Sequence, residues 1–183
     1  MKRRTLAAAT AALLMTSALG MSACSSELVA QSGSSSAQSA ANLDHERISS
    51  VLETVGGVMA TADASLNAAD LGDQVTKGAL EMRTAQYALA NANSQALPPL
   101  DFEPTSLAIT NSDSWPRAIF NISDTSSTTL PVLEVYVQDS ARSDYKLTNY
   151  ARLLGGTHLT LPSVGTGSAY VTGDSQGFTV TPD

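Results

Sequence analysis

The fold depends on residues 42–62, which read NLDHERISSVLETVGGVMATA. Apolar side chains recur in this stretch at intervals of three and four residues, so a helix would place them on one face. Asn42 or Asp44 can cap its first turn, and the carboxylates of Asp44 and Glu46 suit the positive end of the helix dipole. We therefore predict a helix whose apolar face carries Ile48, Val51, Leu52, Val55, Met59 and Ala62.

The middle of this helix contains Gly56 and Gly57. Each glycine disfavours a helix by about 1 kcal/mol relative to alanine. We expect the pair to let a sheet approach the helix closely or to allow a kink.

Residues 68–75 predict a short helical turn that ends at Gly78. The segment after it, residues 79–90, carries two opposing signals. In residues 79–90 the side chains alternate as in a strand, yet alanine, leucine, glutamate, methionine and glutamine favour a helix. We predict a strand, with a helix as the alternative. One face of the predicted strand would carry Arg83, Ala85, Tyr87 and Leu89.

The rest of the chain predicts short strands, because runs of β-branched and aromatic residues alternate with Asp, Ser, Gly, Pro and Asn. The predicted fold class is α+β, with a long N-terminal helix packed on a curved antiparallel sheet. Residues 42–183 form a single domain in this prediction. The predicted strands are 105–110, 117–123, 130–138, 145–153, 157–161, 169–172 and 178–181.

The first residues have the layout of a secretory signal peptide, with a basic start at Lys2 and an apolar run over residues 6–19. That run is too short for a bilayer core, which needs roughly 20 apolar residues. Met21-Ser22-Ala23-Cys24 resembles the bacterial lipobox, with Met21 at the position where leucine is usual. The resemblance implies removal of residues 1–23, lipidation of Cys24 and anchoring at the extracytoplasmic face of the cell membrane. The alternative is an uncleaved leader, or one that is cleaved conventionally after Ala23.

Residues 24–41 are rich in serine, glycine and glutamine and contain few large apolar side chains. We expect a disordered tether that separates the domain from the membrane. The composition leaves glycosylation of its serines open.

Charge and composition exclude several functions. Removal of residues 1–23 would take away three of the ten basic residues and none of the seventeen acidic ones, so the net charge moves from −7 to −10. Such a chain repels nucleic acid. His45 and His158 have no cysteine or carboxylate at ligand spacing, so we expect no metal. The sequence also predicts no cofactor and no catalytic residue.

Trp115 and Arg117 are candidate binding residues, because aromatic and arginine side chains are enriched where proteins bind partners. The structural alternative is that Trp115 covers the end of the core and Arg117 pairs with a carboxylate. Tyr145 and Arg152 are further candidates. Simple alternation places Tyr145 on one face of the sheet and Lys146, Tyr150 and Arg152 on the other.

The motifs around these residues resemble a family of uncharacterised actinobacterial lipoproteins, which combine a lipobox leader with a WPR-type turn and a YKL-type strand. The motifs here are Ser114-Trp115-Pro116-Arg117 and Asp144-Tyr145-Lys146-Leu147. The resemblance implies an exported domain and a longer chain, so that a C-terminal half would be missing. By analogy, the helix and sheet are similar to the cystatin-like and nuclear-transport-factor-like cone folds.

These observations favour a membrane-anchored, non-catalytic module that binds an envelope protein or a cell-wall component. The alternative is a small-ligand carrier or a degenerate enzyme that uses the cavity of a cone fold. A filled interior would favour the first function, and a deep pocket with convergent polar side chains would favour the second.

Overall fold

A computed structural model of the chain describes residues 41–123, 130–157 and 159–171. It shows two long helices, a short 3-10 turn and a four-stranded antiparallel sheet, so the α+β class is confirmed. The predicted leader and nearly all of the predicted tether lie outside the described residues. The elements are α1 (His45–Ser65), the turn Ala68–Leu71, α2 (Lys77–Asn93), β1 (Ser106–Ile109), β2 (Arg117–Ser123), β3 (Val132–Gln138) and β4 (Lys146–Arg152).

Helix α1 begins after Asp44, whose carboxylate accepts a hydrogen bond of 2.9 Å from the backbone N–H of Arg47. Such a cap satisfies one of the backbone donors that the first turn leaves free. The face predicted from the apolar spacing is the buried face, except that Val51 is only half-buried. Its buried side chains are Ile48, Leu52, Val55, Met59 and Ala62.

Gly56 provides the close approach that its position in α1 suggested, although its neighbour is not a strand. A Cβ atom at this position would lie 3.1 Å from the Cβ of Phe102, in the connection that precedes β1. A Cβ atom at Gly57 would have no neighbour within 4 Å. Only at the first glycine would a side chain press on a neighbour.

The prediction of a strand over residues 79–90 is wrong, because this segment lies within α2. Arg83 and Tyr87 fit both patterns, since residues four apart share a face of a helix and also a face of a strand. The strong helix formers of the segment decide the outcome. The turn at Ala68–Leu71 ends at Gly72, not at Gly78, which belongs to α2.

The sheet is a meander in which each strand pairs with the next in the order β1-β2-β3-β4. Ile119 of β2 lies opposite Tyr136 of β3, which lies opposite Leu147 of β4. All three side chains are fully buried and share one core with the buried face of α1. Of the remaining predicted strands, residues 157–161 and 169–171 form none where the structure describes them, and residues 178–181 lie outside it.

A bulge in β4 changes which side chains face the helices. Val135 lies opposite Asn149 whereas Tyr136 lies opposite Leu147, so Thr148 is an extra residue. Beyond it, Tyr150 and Arg152 point to the same side as Leu147, and Lys146 points to the other. The prediction that Lys146, Tyr150 and Arg152 share a face is therefore wrong.

The outer face of the sheet, away from the helices, also carries apolar side chains. Phe120 is 38% exposed, and Ile122, Leu133 and Val135 are half-buried and do not join the core. The helix-facing side alone thus provides the core. Within the described ranges, no helix is both long enough and apolar enough to cross a membrane.

Candidate binding site

Three strands bring a polar row together at one end of the helix-facing side of the sheet. Arg117 at the start of β2 lies opposite Gln138 at the end of β3. Val137 of β3 pairs with Lys146 of β4, so the preceding residue Tyr145 lies next to Gln138. We call Arg117, Gln138 and Tyr145 the Arg117 row.

Trp115 is attached to this row by two contacts. The guanidinium carbon of Arg117 lies 4.3 Å from the centre of the Trp115 ring, within the range of a cation–π interaction. The indole N–H of Trp115 donates to Oε1 of Gln138 over 3.4 Å. In the part of the chain that the structure describes, Arg117 stacks on Trp115 and forms no ion pair with a carboxylate. Trp115 remains 39% exposed.

Two buried polar atoms of the row have no hydrogen-bond partner among the described residues, namely Nε of Arg117 and the hydroxyl of Tyr145. An unsatisfied buried donor costs about 1–3 kcal/mol, and native structures leave few of them. Burial raises the pKa of the Tyr145 hydroxyl, and the positive charge of Arg117 acts in the opposite direction. Tyr145 therefore stays a neutral hydrogen-bond donor at physiological pH.

A cleft of about 420 Å³ lies beside the row, between the first half of α1 and the connection from β3 to β4. Gln138 and Tyr145 belong to its wall, whereas Trp115 and Arg117 stand next to it. The volume falls within the usual range for small-molecule sites, about 300–1,000 Å³. The lining residues are Leu43, Arg47, Ser50, Val51, Thr54, Gln74, Gln138, Ser143, Asp144 and Tyr145.

The turn between β3 and β4 holds one wall of the cleft in place. The backbone N–H of Ser143 donates to the carbonyl of Ser140 over 3.2 Å, and the Ser143 hydroxyl accepts from the N–H of Ser140 over 2.8 Å. The side-chain amide of Gln138 donates to the carbonyl of Ser143 over 2.8 Å. Gln138 is thus fixed between the turn and Trp115.

The lining carries one positive and one negative side chain. Arg47 lies 3.8 Å from Asp44, and both are largely exposed, so this pair contributes little to stability. Asp144 is an exposed carboxylate at the rim. The other eight lining residues are uncharged, and most of the surface that the cleft exposes is apolar. The polar side chains of Thr54, Gln138 and Ser143 already form hydrogen bonds within the protein. The arrangement offers an apolar surface with a few polar groups and does not pair a nucleophile with a base.

The candidate residues do not all belong to this site. Trp115, Arg117 and Tyr145 converge, whereas Arg152 lies at the opposite end of β4. Its guanidinium donates to the carbonyls of Leu130 and Pro99. Arg152 thereby holds the connection before β1 against the sheet.

Sequence reasoning missed the contributions of Arg47, Gln74, Gln138 and Asp144 to the cleft. These residues come from three separate parts of the chain, and no local pattern relates them. The β4 register, which brings Tyr145 beside Gln138, is likewise set by tertiary pairing.

A second polar cluster lies further along the same face of the sheet. Glu134 of β3 is 0% exposed, and its Oε2 accepts from the Asn121 amide over 3.1 Å and from the Tyr136 hydroxyl over 2.8 Å. Its Oε1 has no partner among the described residues. Burial raises the pKa of Glu134 to about 7, while the bonds from Asn121 and Tyr136 lower it. The sequence pattern could have indicated this burial, since alternation places Glu134 on the same face of β3 as Val132 and Tyr136.

A third cluster joins the two helices. Arg83 of α2 is 0% exposed, and its Nε donates to Oδ1 of Asp63 in α1 over 2.8 Å. A second guanidinium nitrogen contacts the other oxygen of Asp63, which makes the pair bidentate. The Tyr87 hydroxyl donates to Asp63 over 2.6 Å. This cluster is a structural clamp between α1 and α2.

No group of three or more His, Cys, Asp or Glu side chains that could hold a metal ion occurs in residues 41–123, 130–157 and 159–171. Cys24 and His158 lie outside these ranges. Comparisons with protein-family models, with curated proteins and with solved structures each returned no match. The resemblance to actinobacterial lipoproteins and to cone folds thus stays a prediction.

Proposed function

We propose that the chain is an envelope lipoprotein, anchored through acyl chains on Cys24 at the extracytoplasmic face of the membrane, with a non-catalytic binding module as its folded domain. The observation that carries the binding role is the convergence of Trp115, Arg117 and Tyr145 beside the cleft. The lipobox-like Met21-Ser22-Ala23-Cys24 supports the anchor. In this proposal α1 is the first element of the mature domain and follows the leader and the tether.

A small-ligand carrier is the second candidate, and the cleft of about 420 Å³ favours it. The interior between α1 and the middle of the sheet is filled by Leu52, Val55, Ile119 and Tyr136, which are all fully buried. Any ligand would therefore bind at the end of the sheet rather than inside a cone. Both candidates use the same site and differ in whether the ligand stays part of the cell envelope.

The anchor is tested by mass spectrometry of the membrane-fraction protein. We expect Cys24 to be the N-terminal residue and to carry a diacylglycerol thioether, and Cys24→Ala to block processing. An unmodified Cys24 in the membrane fraction would refute the anchor.

The binding role is tested in living cells with a photo-crosslinking amino acid at one exposed position at a time. Arg142, in the exposed turn beside the cleft, is the test position, and Glu81, on the exposed face of α2, is the control. We expect a defined adduct with an envelope component from position 142 and none from position 81. If position 142 gives no adduct, or if both give the same pattern, the cleft is not the binding surface.

A further inference from the structure

We propose that Trp115, Arg117 and Tyr170 form the contact point for a protein partner, and that Arg117 binds a carboxylate of that partner. We call these three residues the Trp115 patch. The inference rests on the proposed binding function and names the chemistry of its partner. It follows from the exposure of two aromatic rings and from the charge of Arg117, which has no counter-ion among the described residues.

Tyr170 brings a second exposed aromatic ring to the turn before β2. The residue is 42% exposed, and its hydroxyl donates to the carbonyl of Pro116. Burial raises the pKa of this hydroxyl and the positive charge of Arg117 lowers it, so the guanidinium lies near Tyr170 as well. The backbone N–H of Ser168 donates to the carbonyl of Ile109 over 2.6 Å, which holds the segment before Tyr170 against β1. The ring is therefore attached to the fold at two points.

The guanidinium of Arg117 is buried on one side only. Its Nε is buried without a partner among the described residues, whereas its two terminal nitrogens are not among the buried atoms. Stacking at 4.3 Å on the ring of Trp115 fixes the plane of the group. A guanidinium presents parallel N–H groups that match the two oxygens of a carboxylate. The outer end of Arg117 is thus available for a bidentate pair.

The charges of the neighbouring segments favour a single carboxylate over a polyanion. The turn before β2 carries Asp113, and the connection from β3 to β4 carries Asp139 and Asp144, all of which are exposed. The whole chain has a net charge of −7. These charges repel a polymer of phosphates or uronic acids. One carboxylate balances the one guanidinium and adds no excess negative charge.

The exposed rings favour a protein over a small free anion. An ion pair in contact with water contributes little to binding, so a free carboxylate would bind weakly. A partner that also covers Trp115, which is 39% exposed, and Tyr170 removes water from the pair and strengthens it. Tryptophan, tyrosine and arginine are the side chains most enriched where interfaces concentrate their binding energy. The Trp115 patch contains one of each.

The experiment places a photo-crosslinking amino acid at position 114, because Ser114 is exposed and directly precedes Trp115. The full chain is expressed in living cells with the native residue at position 117, with Arg117→Gln or with Arg117→Lys. Mass spectrometry then identifies the crosslinked peptide. We expect a peptide of one protein, with an aspartate, a glutamate or a free C-terminus within a few residues of the crosslink. The location of the peptide distinguishes a side-chain carboxylate from a C-terminal one.

Arg117→Gln should lower the yield of this adduct by about tenfold or more, because it leaves the carboxylate of the partner covered and unpaired. Arg117→Lys should lower it less, since lysine keeps the charge but cannot form the bidentate pair. Arg152→Gln, at the far end of β4, should leave the yield unchanged.

A change in the partner tests the pair without altering this chain. Removal of the partner's carboxylate, by an amide side chain or by an extended C-terminus, should lower the yield as much as Arg117→Gln does. The two changes together should cost no more than either alone, because both remove the same interaction.

The inference is overturned if the adduct is a glycan or a lipid, or if neither Arg117→Gln nor removal of the partner's carboxylate lowers the yield. If position 142 gives an adduct and position 114 gives none, the inference fails and the proposed binding function stands. If neither position gives an adduct, the binding function fails as well. An adduct from position 114 alone that Arg117→Gln abolishes supports the inference and moves the binding surface from the cleft to the Trp115 patch.

Discussion

Glu134 shows how a single buried residue couples stability to pH. Its carboxyl group lies on the helix-facing side of β3 between Val132 and Tyr136, where two strong apolar positions would predict a third. Asn121 and Tyr136 satisfy only one of its oxygens. The negative charge of Asp101 also disfavours the ionised form, although burial is the larger cause.

The raised pKa gives the stability of the domain a definite pH dependence. Glu134 has a pKa of about 7 in the folded chain, against a model-peptide value of 4.5. Between these values the folded chain keeps a proton that the unfolded chain releases, so the free energy of unfolding falls as the pH rises from about 4.5 to about 7. The total loss is on the order of 3 kcal/mol.

The variant Glu134→Gln isolates this contribution. Denaturant unfolding at pH 5, 6, 7 and 8 measures the free energy of unfolding of both proteins. We expect the value for the variant, relative to the native chain, to rise steadily up to about pH 7 and then to stay constant. All other titrating groups are common to both proteins, so they cancel in the difference. A difference that stays constant with pH would show that Glu134 is ionised throughout.

Helix α1 was predictable because one of its faces is buried and apolar. The strand predicted over residues 117–123 is β2 as observed, because its apolar and aromatic residues are bounded by turn-forming residues, although its helix-facing side carries the polar Asn121 and Ser123 beside Ile119. The strand prediction for residues 79–90 is wrong because the buried face of α2 contains the charged Arg83 and two alanines, which give a weak apolar signal. The bulge at Thr148 could not be predicted, since it follows from pairing with β3 and not from local sequence.

The clamp between the helices is expected to be the most sensitive polar feature. Asp63→Asn removes the charge partner of Arg83, which is fully buried. An unpaired buried charge costs about 3–5 kcal/mol, so we expect a loss of unfolding free energy in that range by chemical denaturation. Arg47→Gln breaks the exposed pair with Asp44 and should cost less than about 1 kcal/mol. Equal losses in both variants would mean that Arg83 is not buried.

The neighbouring glycines of α1 offer a matched pair of substitutions. In Gly57→Ala the added Cβ has no neighbour within 4 Å, and alanine loses less backbone entropy on folding than glycine does. The substitution should therefore raise the unfolding free energy by about 0.5–1 kcal/mol. Gly56→Ala gains the same helix propensity but presses on Phe102 at 3.1 Å. Thermal unfolding should therefore rank Gly57→Ala above Gly56→Ala. The reverse order would contradict the contact between α1 and Phe102.

The polarity of the side chains on the helix-facing side changes along the strands of the sheet. The helix-facing side begins with the polar Arg117 row beside the cleft, continues through the apolar middle around Ile119 and Tyr136, and reaches the polar cluster at Glu134 before the buried Val132. Tyr145 belongs both to the row and to the core, whereas Arg117 and Gln138 lie outside that core. Substitutions of Arg117 and Gln138 should therefore change binding more than stability, and substitutions in the middle should do the opposite.

The contact between α1 and the sheet decides whether this architecture is correct, and Val55 tests it. Its side chain is fully buried in the middle of α1 and belongs to the core shared with the sheet. Val55→Ala leaves a cavity there, and we expect a loss of about 1–3 kcal/mol, slightly offset by the better helix propensity of alanine. Glu53→Ala lies on the exposed side of the same helix and should change the unfolding free energy by no more than about 0.5 kcal/mol. In thermal unfolding, Val55→Ala should lower the midpoint by several degrees while Glu53→Ala leaves it nearly unchanged. Equal midpoints for the two variants would mean that α1 is not docked on the sheet, and the core described for this domain would then be wrong.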